Sequence, residues 1–220
     1  MTHVLLITFL VACTPQYGGD AIAVDAKPTD RRPTTDSSLV DAAVDAAVSL
    51  SSAPGRYRSV CDGSAAAALD VDHLIGFSDN DQTIRVFKRS ENAMPIRTQD
   101  IGSSLALGGT TPKVDFEDVE RIGDRIYAIS SHGRKNDGNK DDNRYRFAAV
   151  DVTGQSPSFQ FAVAGSRSSL LLELMATANW LSPESSIIDA IKNASKLEEQ
   201  SNSNLAPKNQ GVNIEGLAHA

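Results

Sequence analysis

The sequence is short of aromatic side chains, of positive charge and of cysteine. Aromatic residues make up 5% of its 220 residues although hydrophobic residues make up 40%, and the formal net charge is −7. Much of the apolar fraction is alanine, which buries little area, so the core must be modest. The acidic balance argues against a nucleic-acid-binding protein, because such proteins usually carry a basic stripe. We therefore expect no nucleic-acid partner.

The apolar run near the N-terminus is too short to span a membrane. It covers residues 4–12, whereas a membrane-spanning helix needs roughly 20 apolar residues. The run ends in Leu10-Val11-Ala12-Cys13, which resembles the bacterial lipobox, where the cysteine is lipidated and becomes the first residue of the mature chain. The pattern predicts a lipoprotein signal peptide over 1–12 and lipidation at Cys13. An ordinary secretory peptide and a short buried segment are the alternatives.

Lipidation at Cys13 would determine both the location of the protein and the state of its second cysteine. Thr14 follows Cys13 where an Asp would retain a Gram-negative lipoprotein, so we expect a lipid anchor in the outer membrane of the cell envelope. Cys61 would then have no disulfide partner in the mature chain. Its neighbours Val60 and Asp62 supply no positive charge to lower its pKa, which favours a buried, inert thiol over a nucleophile.

Residues 13–55 have the composition of a tether. They are rich in Ala, Asp, Thr, Ser and Pro, and residues 41–48 read Asp-Ala-Ala-Val twice in tandem. Little apolar area is available to offset the entropy of ordering such a segment, so we predict a disordered linker. A short helix over 39–50 is the alternative, because alanine favours helix.

The folded part is predicted to be all-β, with a helical insertion. Apolar or β-prone runs at 65–69, 73–78 and 83–88 are separated by Asp-rich turns, and a second unit repeats this layout 52 residues later with outer strands over 144–152 and 157–163. Sheets of about four strands that recur at this spacing indicate a β-propeller. We therefore predict over 56–220 a partial β-propeller, with about two antiparallel blades and the first strand of a third blade from Asn213. Helical spacing of apolar residues predicts the insertion over about 168–200.

A short acidic motif occurs in two copies. Asp115-Phe116-Glu117-Asp118-Val119 recurs as Asn213-Ile214-Glu215-Gly216-Leu217, so one Glu lies behind an Asp or Asn in each copy. The first strand of a propeller blade faces the central channel, where Glu117, Glu215, Asp115 and Asn213 could converge as oxygen ligands for calcium. The alternative is structural, with both Glu side chains accepting hydrogen bonds from backbone amides of a neighbouring blade.

A second candidate site follows the second strand of the second unit. Ser130-Ser131-His132-Gly133-Arg134 ends that strand. His132 could act as a general base because its ordinary pKa lies near neutrality, and Arg134 could hold a phosphate or carboxylate with two parallel hydrogen bonds. Simple exposure of the histidine on a loop is the alternative.

Several separated motifs together resemble the bacterial family called domain of unknown function 3616. The resemblance runs from about residue 57 to 220 and rests on segments 59–66, 78–81, 85–87, 115–119, 130–134 and 211–218. It implies a propeller-like fold similar to phytase-like and lactonase-like propellers, and in the lactonase-like propellers a similar Glu-Gly motif holds a divalent metal. Asp118 departs from the family, which tends to have Gly there. Members generally continue past the Asn-Ile-Glu-Gly-Leu motif, so we expect a truncated domain whose open sheet edges allow self-association.

Two classes of function follow from these predictions. The first is a surface-anchored lipoprotein that binds a small-molecule ligand or a partner without chemistry. The alternative is a calcium-assisted hydrolase of a phosphoester, an ester or a lactone, with Glu117 and Glu215 at the metal and His132 as the base.

Overall fold

The computed structural model describes residues 57–60, 62–89, 94–110, 112–180, 182 and 184–219, and also the backbone of Leu5–Leu6. The rest of the predicted signal peptide, the predicted lipidation site Cys13, the predicted tether and Cys61 lie outside the described residues. The predictions made for them stay predictions.

Two four-stranded antiparallel sheets form the body of the described chain. In the first sheet, strands β2 (Gly63–Ala68), β3 (His73–Ser78), β4 (Thr83–Lys88) and β5 (Arg97–Asp100) lie side by side in chain order. The second sheet repeats this order with β6 (Phe116–Ile122), β7 (Arg125–Ser130), β8 (Phe147–Thr153) and β9 (Gln160–Arg167). A short strand β1 (Leu5–Leu6) pairs antiparallel with β10 (Ala218–His219). The predicted mainly β architecture with sheets of four strands is confirmed.

Some strand bounds differ from the prediction. Strands β3 and β4 have the predicted bounds, whereas β8 and β9 each begin three residues later than predicted. Strand β5 lies outside the apolar runs that predict strands, because its sequence, Arg-Thr-Gln-Asp, contains no apolar residue. It is an edge strand, and a polar edge can be solvated on its open side.

The first strand of each sheet carries the same irregularity. In β2 the pairing register with β3 shifts between Gly63 and Ala65, and in β6 the register with β7 shifts between Phe116 and Asp118. The extra residue in each bulge is Ser64 in the first sheet and Glu117 in the second. A bulge bends a strand and changes the direction of a side chain. The two sheets therefore share a bulge in the first strand as well as a strand order.

The main core lies between the two sheets. Ile75, Phe77 and Val86 of the first sheet and Phe116 and Ala128 of the second are fully or almost fully buried in one cluster. The rings of Phe77 and Phe116 meet edge to face with centroids 5.2 Å apart. Burying one such side chain stabilises the fold by about 1.5–3 kcal/mol, so this contact joins the two sheets firmly.

Two helices cover part of the other side of the second sheet. Helix α1 (Leu170–Met175) and helix α2 (Ser185–Ser195) lie within the predicted insertion. Leu171 of α1 and Ile191 of α2 are buried in a second cluster with Ile129 and Tyr145, and Ile214 belongs to the same cluster. The second sheet therefore packs against the first sheet on one side and against the insertion on the other.

The predicted strand from Asn213 is not formed at that position. Residues 212–217 have no strand partner, and the strand that follows is the two-residue β10. The backbone of this segment is bonded elsewhere: the Ile214 amide donates to the carbonyl of Ser131 (2.8 Å), and the Leu217 amide donates to the Asp118 carboxylate (2.7 Å). These contacts hold the segment against the second sheet without a regular ladder.

Candidate functional site

Asp115 begins the candidate site, immediately before β6. Its backbone has φ of 64°, in the left-handed region that non-glycine residues rarely adopt. The Ser131 hydroxyl donates to its carboxylate (2.5 Å), Arg144 lies 3.2 Å from the same oxygen, and the Ser131 amide donates to its carbonyl (3.0 Å). Such unusual backbone persists where surrounding contacts hold it. Asp115 is therefore a fixed, buried acid.

Glu117 occupies the bulge of β6 and is the most perturbed acid of the site. Burial, and then the negative charges of Asp115, Glu215 and Asp79, raise the pKa of Glu117 to about 8. No described residue donates a hydrogen bond to its carboxylate. A half-buried carboxylate among other acids, with no donor, is costly to ionise. In the described chain Glu117 therefore carries a proton at neutral pH.

The structure brings the second copy of the motif to the first. Glu215 is exposed and accepts a hydrogen bond from the Asn213 side-chain amide, and its charge contributes to the raised pKa of Glu117. Asp79 also belongs to this group, and burial followed by the charges of Asp62 and Asp115 raises its own pKa. We call Asp79, Asp115, Glu117 and Glu215 the acidic cluster.

The oxygen ligands predicted for calcium have suitable chemistry, but their arrangement is not that of a metal site. The predicted ligands Glu117, Glu215, Asp115 and Asn213 offer carboxylate and amide oxygens, which are the ligands calcium prefers. Within the described residues, however, no three or more His, Cys, Asp or Glu side chains form a group that could hold a metal ion. The calcium site stays a prediction.

Asp118 accepts hydrogen bonds from backbone amides, which is the role that the structural alternative gives to the glutamates. One oxygen of its carboxylate accepts the Val119 amide (2.8 Å), and the other accepts the Leu217 amide (2.7 Å). The side chain of the first motif copy therefore fixes the backbone of the second.

His132 is buried rather than exposed on a loop. Its Nδ1 lies 2.8 Å from the Ser130 carbonyl, its Nε2 has no partner within the described residues, and the Tyr145 ring meets it edge on with centroids 5.9 Å apart. Burial lowers the pKa of His132 to about 4. Because a carbonyl only accepts hydrogen bonds, the Nδ1 atom carries the proton. The Nε2 atom then carries a lone pair that is enclosed by protein.

Arg134 is also buried, and both terminal nitrogens of its guanidinium are already occupied, whereas its Nε has no partner within the described residues. The guanidinium donates to the carbonyls of Ser195 (3.3 Å), Lys196 (2.9 Å) and Glu199 (2.8 Å), around the C-terminal end of α2, and to the carbonyl of Gly138 (3.2 Å). Unpaired carbonyls at a helix end need such donors. No hydrogen bond or ion pair in the described chain joins the His132 or Arg134 side chain to the acidic cluster. Their catalytic roles stay predictions, and their contacts are structural.

Comparisons with known proteins do not name a family. No protein-family model matches the chain, and no curated protein matches it. A solved structure, KlHsv2 with loop 6CD replaced by a Gly-Ser linker, is similar with a TM-score of 0.31 and 14% identity, over 48% of this chain and 30% of that chain. The match thus spans less than a third of that structure's length, and a likeness at this level carries no argument. The resemblance to the domain of unknown function 3616 family stays a prediction.

In the described part of the chain, no helix is both long and apolar enough to cross a bilayer.

Proposed function

We propose that this chain is the ligand- or partner-binding module of a lipid-anchored envelope protein, built from propeller blades, and that the acidic cluster binds a cationic group. The observation that carries the proposal is Glu117, a half-buried acid among acids with no hydrogen-bond donor in the described chain. The ligand is either a calcium ion or a positively charged group of an organic molecule or partner.

The arrangement of the strands supports the propeller interpretation. The first strands of the two sheets, β2 and β6, lie next to each other, and the Ser64 hydroxyl in the first bulge donates to the Phe116 carbonyl. The segment of the second motif copy is held at β6 by the hydrogen bond from the Leu217 amide to the Asp118 carboxylate. First strands of successive sheets that lie side by side, as β2 and β6 do, are typical of blades around an axis.

The charge balance of the acidic cluster supports a cationic ligand. Arg144 pairs with Asp115, and the Lys113 ammonium donates to the Asn80 side chain (2.8 Å) at the border of the cluster. Neither is hydrogen-bonded to Glu117. A bound cation would replace the proton on Glu117, because an opposite charge a few ångströms away favours the ionised carboxylate. Binding should therefore release a proton at neutral pH.

The test is thermal unfolding of the full chain with two probes, calcium chloride and spermidine, at pH 7 and pH 8.5. We expect at least one probe to raise the melting temperature, and more strongly at pH 8.5, where a larger fraction of Glu117 is ionised than at pH 7. The Glu117→Gln variant should lose the shift, whereas Glu198→Gln, which changes an exposed glutamate on the insertion, should keep it. An unchanged melting temperature with both probes, or a shift that survives in Glu117→Gln, would contradict the proposal.

The lipid anchor is tested separately. When the full chain is expressed in a Gram-negative host with a radiolabelled fatty acid, we expect label in the membrane fraction and none after Cys13→Ser. Label that persists in the variant would refute lipidation at this residue.

The alternative function, a calcium-assisted hydrolase with His132 as base, has no observation of this structure in its favour. The free nitrogen of His132 is enclosed, and its pKa of about 4 makes it a weak base at neutral pH. Phosphoester, ester and lactone substrates tested on His132→Asn would measure any contribution of this residue.

A further inference from the structure

An Asp, a His and a Ser, the residue types of a serine-nucleophile triad, meet at the end of the strands opposite the acidic cluster. Asp70 lies in the turn between β2 and β3, His73 is the first residue of β3, and Ser156 lies in the turn between β8 and β9. The first two belong to one sheet and the third to the other. Packing of the two sheets therefore brings Ser156 to His73 across 83 residues of sequence.

The distances give a continuous hydrogen-bonded chain. The Nδ1 atom of His73 lies 2.8 Å and 3.0 Å from the two carboxylate oxygens of Asp70, and its Nε2 atom lies 3.0 Å from the Ser156 hydroxyl. Because an ionised carboxylate only accepts, Nδ1 carries the proton and Nε2 presents its lone pair to the hydroxyl. The nucleophile, the base and the group that orients the base are thus within hydrogen-bond reach, in the geometry of an acyl-transfer triad.

The acid and the base are held in position by their surroundings. The backbone amides of Asp72 and His73 each donate to the Asp70 carboxylate at 2.8 Å, and these bonds, together with the His73 ring, lower the pKa of Asp70 against the opposing effect of burial. The ring of Phe159 contacts the His73 ring edge on, with centroids 5.4 Å apart. His73 is 6% exposed, so its orientation is fixed by packing as well as by Asp70.

A cleft of about 450 Å³ opens beside these three residues and is lined by all of them. Ser156 is exposed, so a substrate can reach its hydroxyl. The exposed Val71 supplies apolar surface for an acyl group, the buried Leu69, Val152 and Phe159 lie behind the wall, and Arg121 is the one Arg or Lys among the described residues of the lining. A hydrogen-bonded bridge that served only to join the two sheets would need neither a cleft nor an accessible hydroxyl.

We propose that Asp70, His73 and Ser156, which we call the serine triad, form a nucleophilic site that accepts an acyl group from a small ester. The Ser156 oxygen attacks the carbonyl carbon while its proton passes to His73 Nε2. The C–O bond to the alcohol then breaks, and His73 returns the proton to the departing oxygen, leaving an acyl ester on Ser156. Water, deprotonated by the same nitrogen, cleaves that ester to a carboxylic acid and restores the hydroxyl. This site is separate from the acidic cluster and does not depend on the proposed cation binding.

The first experiment labels the full chain with a fluorophosphonate, a reagent that phosphonylates activated serines. We expect intact-mass analysis to show one adduct and peptide mapping to place it on Ser156. Ser156→Ala should abolish the adduct, whereas Ser158→Ala, which removes an exposed hydroxyl two residues away, should label like the parent chain. An adduct at another residue, or no adduct under conditions that label a reference serine esterase completely, would overturn the proposal.

The second experiment tests the roles of the other two residues. The labelling rate and the hydrolysis of p-nitrophenyl butyrate should fall about 100-fold or more in His73→Gln and in Asp70→Asn, because a positioned base contributes roughly 10²–10⁴ in rate. Circular dichroism and melting of each variant separate this loss from unfolding. Labelling of Ser156 at the parent rate in either folded variant would show that the bridge is structural and would overturn the assigned roles.

Discussion

The buried histidine should make this protein lose stability in mild acid. His132 is 1% exposed and neutral, and burial lowers its pKa from 6.5 to about 4 in the folded chain. Between these two values the unfolded chain binds a proton that the folded chain does not. The contribution of His132 to stability is therefore complete above pH 6.5 and is lost as the pH falls towards 4.

The expected loss is large for a domain of this size. A pKa difference of one corresponds to about 1.36 kcal/mol, so the change at His132 amounts to about 3 kcal/mol between pH 6.5 and pH 4. No large correction for solvent screening applies, because the ring is enclosed. Typical stabilities are about 5–15 kcal/mol, so this one group accounts for a substantial part of acid sensitivity.

The assay is urea unfolding of the parent chain, His132→Asn and His219→Asn at pH 7.5, 5.5 and 4. Asparagine tolerates the positive φ of 49° at residue 132 and retains a donor for the Ser130 carbonyl. The His132→Asn chain should be less stable at pH 7.5 because packing is lost, but its stability should fall by about 3 kcal/mol less than the parent's on going to pH 4. The exposed His219, paired with Glu120 at 3.0 Å, serves as the control for removal of a histidine. Equal pH dependence of the parent and His132→Asn would refute the reasoning.

Three further predictions concern the acidic cluster and the insertion. In chelator-treated buffer at pH 9, Glu117→Gln should be more stable than the parent by about 1–2 kcal/mol. The reason is that the parent loses stability as the pH rises from 4.5 to about 8. The full pKa shift would correspond to roughly 5 kcal/mol, but solvent screening at this half-exposed group reduces it. Urea unfolding at pH 4 should show no such difference. Gly138→Ala should lower the free energy of unfolding by about 3 kcal/mol or more, because φ is +83° and a Cβ would lie 2.3 Å from the Asn202 carbonyl oxygen. Gly109→Ala, where φ is +85° but the space is open, should lower it by about 1 kcal/mol. Equal melting temperatures of the two variants would contradict this prediction. Arg134→Met should lower the free energy of unfolding by about 2–4 kcal/mol, because the carbonyls at the end of α2 lose their donor, and a loss below 1 kcal/mol would show that water replaces it.

The repeated acidic motif shows how much of a site can be predicted from a sequence pattern alone. Two copies of one motif in successive units predict that their side chains lie near one axis, and the structure does bring Glu215 within electrostatic reach of Glu117. The pattern does not predict which acid fixes the neighbouring backbone. That role belongs to Asp118, the residue after the bulge at Glu117, whose carboxylate accepts the Leu217 amide.

The sequence by itself determined the strands whose apolar residues are bounded by Asp-rich turns, such as β3 and β4, and the helical character of the insertion. These are local properties, because periodicity and turn chemistry act over a few residues. Tertiary structure alone decided that His132 is enclosed, that the Arg134 guanidinium donates to carbonyls at the end of a helix, and that Ser156 meets His73. Each of these depends on the packing of segments far apart in the chain, and burial and proximity of that kind leave no mark on a single stretch of sequence.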